Sequence, residues 1–241
     1  PEEYGGQGLD YWYTAILCEE LVRCHSLGVG VGLLVQSEMA TSVIGRYGTP
    51  EQKREFLAPA IAGEKIAALG ITEPGHGSNA AGIRTRARRE GGDWVINGSK
   101  TFISNGARAN FVTLAARTGG EGARGVSVIL VPTDAKGFSV GRALKKMGTH
   151  SSDLAELFFQ DVRVPVSNLV GEEGRGFGYI MELFQGERLV LASFANGINQ
   201  VLWEEAMKYG REREVFGQPI TQHQYWRHRL ADMLTQIEAA R

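Results

Sequence analysis

The sequence predicts an α+β fold with a helical N-terminal part, a central antiparallel β-domain and a C-terminal helical bundle. Apolar residues recur at helical spacing from Leu9 to about Lys65. Short alternating or β-branched runs fill residues 66–170. Helical spacing returns after a glycine-rich hinge at 171–178 and continues to Arg241. These observations predict three domains, at residues 1–65, 66–170 and 171–241.

The clearest helix start in the N-terminal part is at Thr49. Pro50 follows it in the first turn, and Gln52 stands three residues after the threonine. A threonine hydroxyl and a glutamine side chain at this spacing can each bond the other residue's backbone N–H. We therefore predict a capping box here.

The central region divides into strands and turns. Gly91-Gly92 predicts a hairpin turn, and Asn97-Gly98 and Asn105-Gly106 predict other tight turns. Six runs are typical of strands: 66–72, 84–88, 94–97, 111–115, 126–131 and 157–164. We expect them to form the antiparallel domain.

A carboxylate interrupts the apolar pattern of the helix after the hinge. Two seven-residue rows run along it: Phe177, Phe184, Leu191, Ile198 and Ile180, Glu187, Phe194, Val201. Glu187 therefore takes a core-facing position. Burying an unpaired carboxylate is costly, so its presence indicates function. The alternative is that Arg188 or another cation pairs with it.

The composition and net charge limit the classes of binding partner that this protein is expected to have. The 241 residues are 43% hydrophobic and 22% charged, with a net charge of -1 and a pI of about 6.6. This balance argues against nucleic acid or an anionic membrane as the main partner. Cys18 and Cys24 form neither a metal knuckle nor a disulfide framework, which fits a reducing compartment. No metal site is predicted.

We also expect no membrane span and no signal peptide. The first eight residues are typical of mid-protein sequence. We therefore expect a fragment, truncated at both ends.

Two glycine-containing motifs carry most of the functional information. TEPGHGS occupies residues 72–78, and KTFISNG occupies 100–106. The Pro-Gly turn exposes backbone N–H groups, and Ser78 and Ser104 add hydroxyls that can face an anion or a heteroaromatic ring. Two such loops indicate a large cofactor, although glycine turns are often only turns.

The pair resembles the flavin-binding signatures of the acyl-CoA dehydrogenase family, and the likeness extends through nearly the whole chain. It implies the helix, sheet, helix order of that family and an FAD cofactor. The resemblance carries flavin contacts onto seven positions: Leu69, Ile71, Thr72, Gly77, Ser78, Phe102 and Ser104. Phe102 and Ser104 replace a tryptophan and a threonine of many members, and these replacements keep an aromatic ring and a hydroxyl.

The same resemblance assigns the catalytic base. Residues 184–189, FQGERL, look like the helix motif of the long-chain and isovaleryl branches, whose base lies in an E-R-L sequence. This implies Glu187 as the base, with Arg188 near the acyl-CoA and Ser78 near its pantetheine. Other branches use a glutamate nearer the C-terminus, in a region outside this sequence.

Three further positions resemble elements that reach the FAD of a neighbouring subunit. Arg213 and Phe216 match the family's R-x-x-F-G element, and Gln224 matches its H-Q element. Arg213 would meet the pyrophosphate, for which a guanidinium is suited. Arg213 as a solvated helix-end charge is the alternative. Contacts between subunits imply an oligomer, and the family expectation is a homotetramer.

The implied reaction is α,β-dehydrogenation of a fatty acyl-CoA thioester to trans-2-enoyl-CoA, with an electron-transfer flavoprotein as acceptor. The implied location is the cytoplasm for a bacterial protein and the mitochondrial matrix for a eukaryotic one. Two alternatives remain open. One is a flavin oxidase or monooxygenase of the same superfamily, and the other is a truncated, non-catalytic binding module.

Overall fold

The computed structural model describes all residues from Pro1 to Arg241. The chain forms two compact units. The first contains Pro1–Gly8 and Gly28–Glu187, and the second contains Leu9–Leu27 and Arg188–Arg241. The predicted order of helices, sheet and helices is confirmed.

Short helices fill the N-terminal part. They are α1 (Tyr11–Leu21), α2 (Leu27–Leu34), α3 (Ser42–Tyr47), α4 (Pro50–Gln52) and α5 (Ala58–Ile61), with π-helical turns at Val35–Ala40 and Lys53–Leu57. The capping box is confirmed, because the Gln52 backbone N–H donates to the Thr49 hydroxyl while the Gln52 side chain accepts from the Thr49 N–H. It fixes the start of α4.

The segment Leu27–Tyr47 corrects one sequence expectation. It is helical, and its length and mean hydropathy of 1.4 meet the criteria for a membrane span, although no such run was expected. Within the protein, 44% of its most apolar window is buried. Leu34, Val43 and Ile44 are among its most deeply buried side chains. Val43 and Ile44 pack in the core cluster of the first unit.

Eight strands form the main sheet. They are β1 (Ala67–Gly70), β2 (Arg86–Glu90), β3 (Asp93–Ser104), β4 (Phe111–Arg117), β5 (Val126–Pro132), β6 (Phe138–Ala143), β7 (Leu154–Pro165) and β8 (Leu169–Val170). Their order is β6-β7-β3-β2-β4-β5-β8, with β1 paired to β4. The antiparallel expectation holds except that β4 pairs in parallel with β1 and, at one position, with β2. The chain between β1 and β4 contains the hairpin β2–β3, and this segment supplies the crossover connection that a parallel pair needs.

Two turn predictions have different outcomes. Gly91-Gly92 turns between β2 and β3, as predicted, with Glu90 opposite Asp93. The tight turn predicted at Asn97-Gly98 is wrong, because both residues lie inside β3 at a register shift against β7. Gly98 has φ +150°, and a side chain there would meet the backbone of Thr85. Gly98 therefore allows a β-bulge at this point of β3. Strands β6 and β8 were not predicted from the sequence.

The sheet is covered on both faces. One core cluster joins the helices to alternate sheet residues such as Phe111, Ala115 and Val128. The intervening residues, such as Val112 and Leu114, build a second cluster on the other face. Because side chains alternate along a strand, covering both faces leaves β4 buried throughout.

A single long helix, α6 (Gly176–Glu212), follows the sheet. A side chain at Gly176 would meet the backbone of Ser127 on β5, so the glycine allows close approach. The buried side chains of α6 include Ile180, Leu183, Val190 and Phe194. Their successive spacings of three, seven and four residues place them on one face of the helix. One predicted apolar row is wrong, since Leu191 is 44% exposed. A period of 3.6 residues moves a seven-residue row off the buried face.

The second unit adds a small hairpin, β9 (Glu214–Val215) with β10 (Gln218–Pro219), and helix α7 (Gln224–Ala240). The Trp203 indole N–H donates to the Leu230 carbonyl at 2.9 Å, which ties α6 to α7. Arg23 binds Glu204, so the segment around α1 is tied to α6 as well.

Candidate functional site

A cleft in the first unit contains Glu187 and two of the predicted flavin contacts, Leu69 and Ile71. Its empty space is about 310 Å³, part of it open to solvent. The remaining lining residues are almost all apolar: Met39, Val43, Thr113, Ala115, Val128, Ile180, Leu183 and Phe184. The Thr113 hydroxyl donates to the Ala40 carbonyl. The half-buried Glu187 therefore supplies the only ionisable side chain in this lining.

The helix that carries Glu187 is anchored one turn earlier. The Glu182 carboxylate accepts from the guanidinium of Arg46 at 2.8 Å and from the Tyr47 hydroxyl, both on α3. The Tyr47 ring stacks on Tyr179 at a centroid distance of 3.9 Å. These contacts hold the first turns of α6 against α3, and they place Glu187 at the cleft wall.

The two signature motifs are joined by a buried ion pair. The Lys100 ammonium lies 2.8 Å from Glu73 Oε1 and also donates to the Ile71 carbonyl at 2.9 Å. Lys100 is 0% exposed and Glu73 is 6% exposed. The Glu73 carboxylate also accepts from the backbone N–H groups of Arg84 and Thr85. Its charge is therefore well satisfied.

Electrostatics keep this pair ionised. Burial by itself raises the pKa of Glu73, but the Lys100 charge and the hydrogen bonds to Arg84 and Thr85 outweigh it and hold that pKa at about 2. Burial lowers the pKa of Lys100 to about 8 against the opposing effect of the Glu73 charge. At neutral pH both groups carry charge.

Phe102 lies just beyond the ion pair, at an irregular point in β3. The register between β3 and β7 shifts between Lys100 and Ile103, and Phe102 has φ +57°. This backbone conformation is unfavourable for a phenylalanine. Phe102 is 61% exposed. The strand therefore presents an aromatic side chain outward, with the half-buried Ser104 two residues later at the strand end.

The first motif forms a turn beside this strand. Thr72 is half-buried, and its carbonyl accepts from the Thr101 N–H at 2.9 Å. Glu73 and His76 exchange two backbone hydrogen bonds and close the turn. Gly77 and Ser78 are exposed, and no atom lies within 4 Å of where a side chain at Gly77 would begin. The turn therefore leaves space above its backbone.

The remaining predicted positions lie in the second unit. Arg188 is exposed on α6, Arg213 is exposed just after it, and Gln224 opens α7. Phe216 is 95% exposed at φ +54°, at the tip of the β9–β10 hairpin. The His223 side chain contacts the Val215 carbonyl at 2.9 Å and braces that hairpin.

Sequence reasoning assigned no role to Glu73 or Lys100. Both lie inside the two motifs, and their opposite charges were the available signal. Sequence separation hid it, because the two residues are 27 positions apart and only the tertiary fold brings them together.

Family models match nearly the whole chain: the acyl-CoA dehydrogenase N-terminal domain at residues 1–64, the middle domain at 68–162 and the C-terminal domain at 174–241. The chain belongs to the acyl-CoA dehydrogenase family. The suspected resemblance is confirmed. The middle-domain match contains both signature motifs and the buried ion pair.

Individual members of the acyl-CoA dehydrogenase family are similar to this chain over nearly its whole length. The long-chain specific acyl-CoA dehydrogenase of Rattus norvegicus mitochondria is 42% identical over 98% of this chain and 55% of its own. A probable acyl-CoA dehydrogenase from Mycobacterium abscessus has 45% identity and a TM-score of 0.96, over 99% of this chain and 64% of its own. An acyl-CoA dehydrogenase from Bacillus anthracis, solved in complex with FAD, has 34% identity and a TM-score of 0.93, over 100% of this chain and 41% of its own.

The chain thus spans about half the length of the rat relative and less than two thirds of either solved structure.

Proposed function

We propose that this protein dehydrogenates a fatty acyl-CoA thioester to the trans-2-enoyl-CoA, with FAD as cofactor and Glu187 as the base that removes the α-proton. The observation that carries the proposal is the cleft that Glu187 lines together with Leu69 and Ile71. A carboxylate and two predicted flavin contacts thereby share one apolar lining. Family membership supports the same reaction.

The residues of the two signature motifs fit a flavin. Phe102 is an exposed aromatic side chain suited to stacking on a planar ring. Thr72, Ser78 and Ser104 offer hydroxyl groups, and the open space at Gly77 lets a ligand approach the backbone. We assign these residues, with Leu69 and Ile71, to FAD. When bound, FAD supplies the acceptor for the β-hydrogen, which leaves as hydride.

The role of Glu187 follows from its surroundings. The α-proton of a thioester is a weak acid, so a carboxylate in water is a poor base for it. The apolar lining, including Ile180, Leu183 and Phe184, gives the cleft an oily wall from which a bound acyl chain would displace water. The Glu187 carboxylate takes the α-proton there. We assign Ser78 to the pantetheine of CoA and Arg188, the next residue of the helix, to the acyl-CoA substrate.

The exposed hairpin of the second unit supports an oligomeric enzyme. Phe216 is almost fully exposed, and Arg213 and Gln224 are exposed nearby in sequence. We assign these three residues to the FAD of a neighbouring subunit, which requires at least a dimer, and the family expectation is a homotetramer. An electron-transfer flavoprotein is the proposed acceptor.

The test is anaerobic titration of the FAD-loaded protein with a panel of acyl-CoAs of different length and branching. We expect the flavin absorbance to bleach with at least one of them. A protein that binds FAD but bleaches with none would contradict the proposal. Rapid reoxidation of the reduced protein by air would favour the oxidase alternative.

A further inference from the structure

The buried pair Glu73–Lys100 has no role in the chemistry proposed above, yet it joins the two signature motifs. A buried charge pair seldom adds stability over an apolar pair of similar size, because removing both groups from water is costly. Its position therefore calls for a reason other than stability.

Lys100 and its neighbour bind three consecutive residues of the first motif region. The Lys100 ammonium holds the Ile71 carbonyl and the Glu73 carboxylate, and the Thr101 N–H holds the Thr72 carbonyl between them. All three contacts are between 2.8 and 2.9 Å. Residues 71–73 are thus fastened to one point of β3.

The same point precedes the irregularity at Phe102. β3 loses its regular pairing with β7 directly after Lys100 and regains it at Ile103. The unfavourable backbone of Phe102 persists only if its surroundings hold it. Lys100 and Thr101 provide that restraint on one side, because both are buried and bonded to the first motif.

We propose that Glu73 and Lys100 are positioning residues of the flavin site, which lock the turn that carries Thr72 to the strand that presents Phe102. The proposal rests on the proposed function, since it concerns how the same site is held. Neither side chain needs to touch the cofactor. The ion pair orients the residues that we assign to FAD, just as the outer partners of metal ligands orient those ligands.

The experiment compares three variants of the full chain: Lys100→Met, Glu73→Gln and the double variant. Two quantities are measured for each, the free energy of unfolding without FAD and the Kd for FAD from the quenching of its fluorescence. Lys100→Met leaves a buried carboxylate without its cation, whereas the double variant leaves no unbalanced charge. The double variant should therefore recover stability relative to the single ones.

FAD affinity should not recover with it. The double variant still lacks the contacts from β3 to Ile71 and to residue 73, so its Kd should stay raised by about 10- to 100-fold, the range found when outer partners of metal ligands are removed. The visible circular dichroism of bound FAD should also differ from that of the wild type. If Kd returns to the wild-type value as stability recovers, the pair acts only through stability and the proposal is wrong.

Gln52→Leu is the matched control. Gln52 is buried in the same unit, and its side chain donates to the carbonyls of Ser167 and Leu169, away from both motifs. It should lower stability and leave the Kd for FAD unchanged. A wild-type chain that binds no FAD overturns the proposed function together with this inference. A wild type that binds FAD no more tightly than the double variant overturns the inference alone.

Discussion

Two glutamates of the first unit lie in different surroundings. Glu73 is enclosed by a lysine and two backbone N–H groups, and its pKa is held at about 2. Glu187 is half-buried on a wall whose other side chains are uncharged. A carboxylate as strongly stabilised as Glu73 is a poor proton acceptor. Surroundings, rather than residue type, separate the structural acid from the candidate base.

The largest expected effect comes from Glu187→Gln. Glutamine cannot take a proton, so reduction of bound flavin by acyl-CoA should slow by about 10²- to 10⁴-fold while FAD remains bound. Anaerobic stopped-flow absorbance measures this rate. Glu205→Gln, at an exposed site on the same helix, is the control and should react like the wild type. An unchanged rate in Glu187→Gln would mean that a different group is the base.

The next largest effect is a loss of folding stability when Glu73 is deprived of its partner Lys100. Lys100→Met leaves Glu73 buried and charged, and removing one partner of a buried pair typically costs about 3–5 kcal/mol. Urea unfolding without FAD measures the loss. The control is Glu90→Gln, which breaks exposed ion pairs with Arg88 and Arg163 and should leave the midpoint nearly unchanged. Equal midpoints for the two variants would contradict the buried setting of the pair.

Acid should reveal the same pair in the wild type. The pKa of Glu73 is about 2 in the folded protein, against an ordinary value of 4.5, so the unfolded chain binds the proton more readily. Its stabilisation is complete above pH 4.5 and is lost as the pH falls towards 2, whereas Lys100 stays protonated throughout because its pKa is about 8. Unfolding free energies from pH 6 to 2 should fall less steeply in Glu73→Gln. Parallel curves would disprove this.

The smallest effect separates strain from function at Phe102. Glycine accepts a φ of +57° without the steric cost that phenylalanine bears, so Phe102→Gly should raise the stability of the FAD-free protein by about 1 kcal/mol. It should also weaken FAD binding, since the exposed ring is lost. Thermal unfolding and the Kd for FAD measure the two effects.

Thr149→Gly is the matched change for Phe102→Gly. Thr149 is exposed with φ +51°, and it lies away from both signature motifs in sequence. It should gain stability and keep the wild-type Kd. If Phe102→Gly also keeps the wild-type Kd, Phe102 is not a flavin contact.

The elements with strong local signals were predictable. Thr49 and Gln52 form their capping box, and Gly91-Gly92 forms its hairpin, because backbone geometry and nearby hydrogen bonds decide both. Asn97-Gly98 has a similar local pattern, yet it lies within β3, where pairing with β7 overrides the tendency to turn. Strand β6 was missed because, as a mostly exposed edge strand, it lacks a buried apolar run.

The sequence by itself determined the α+β order, the family resemblance and the glutamate to suspect, because these depend on local periodicity and on short motifs. Only the tertiary structure decided which glutamate pairs with a buried lysine and which lines a cleft. Lys100 reaches Glu73 because the first motif lies beside β3, where Thr101 also bonds Thr72. Leu69, Ile71 and Glu187 share a lining because the end of β1 and the first part of α6 pack within one unit. Long-range packing sets the dielectric and the partners of each charge, and no stretch of sequence contains that information.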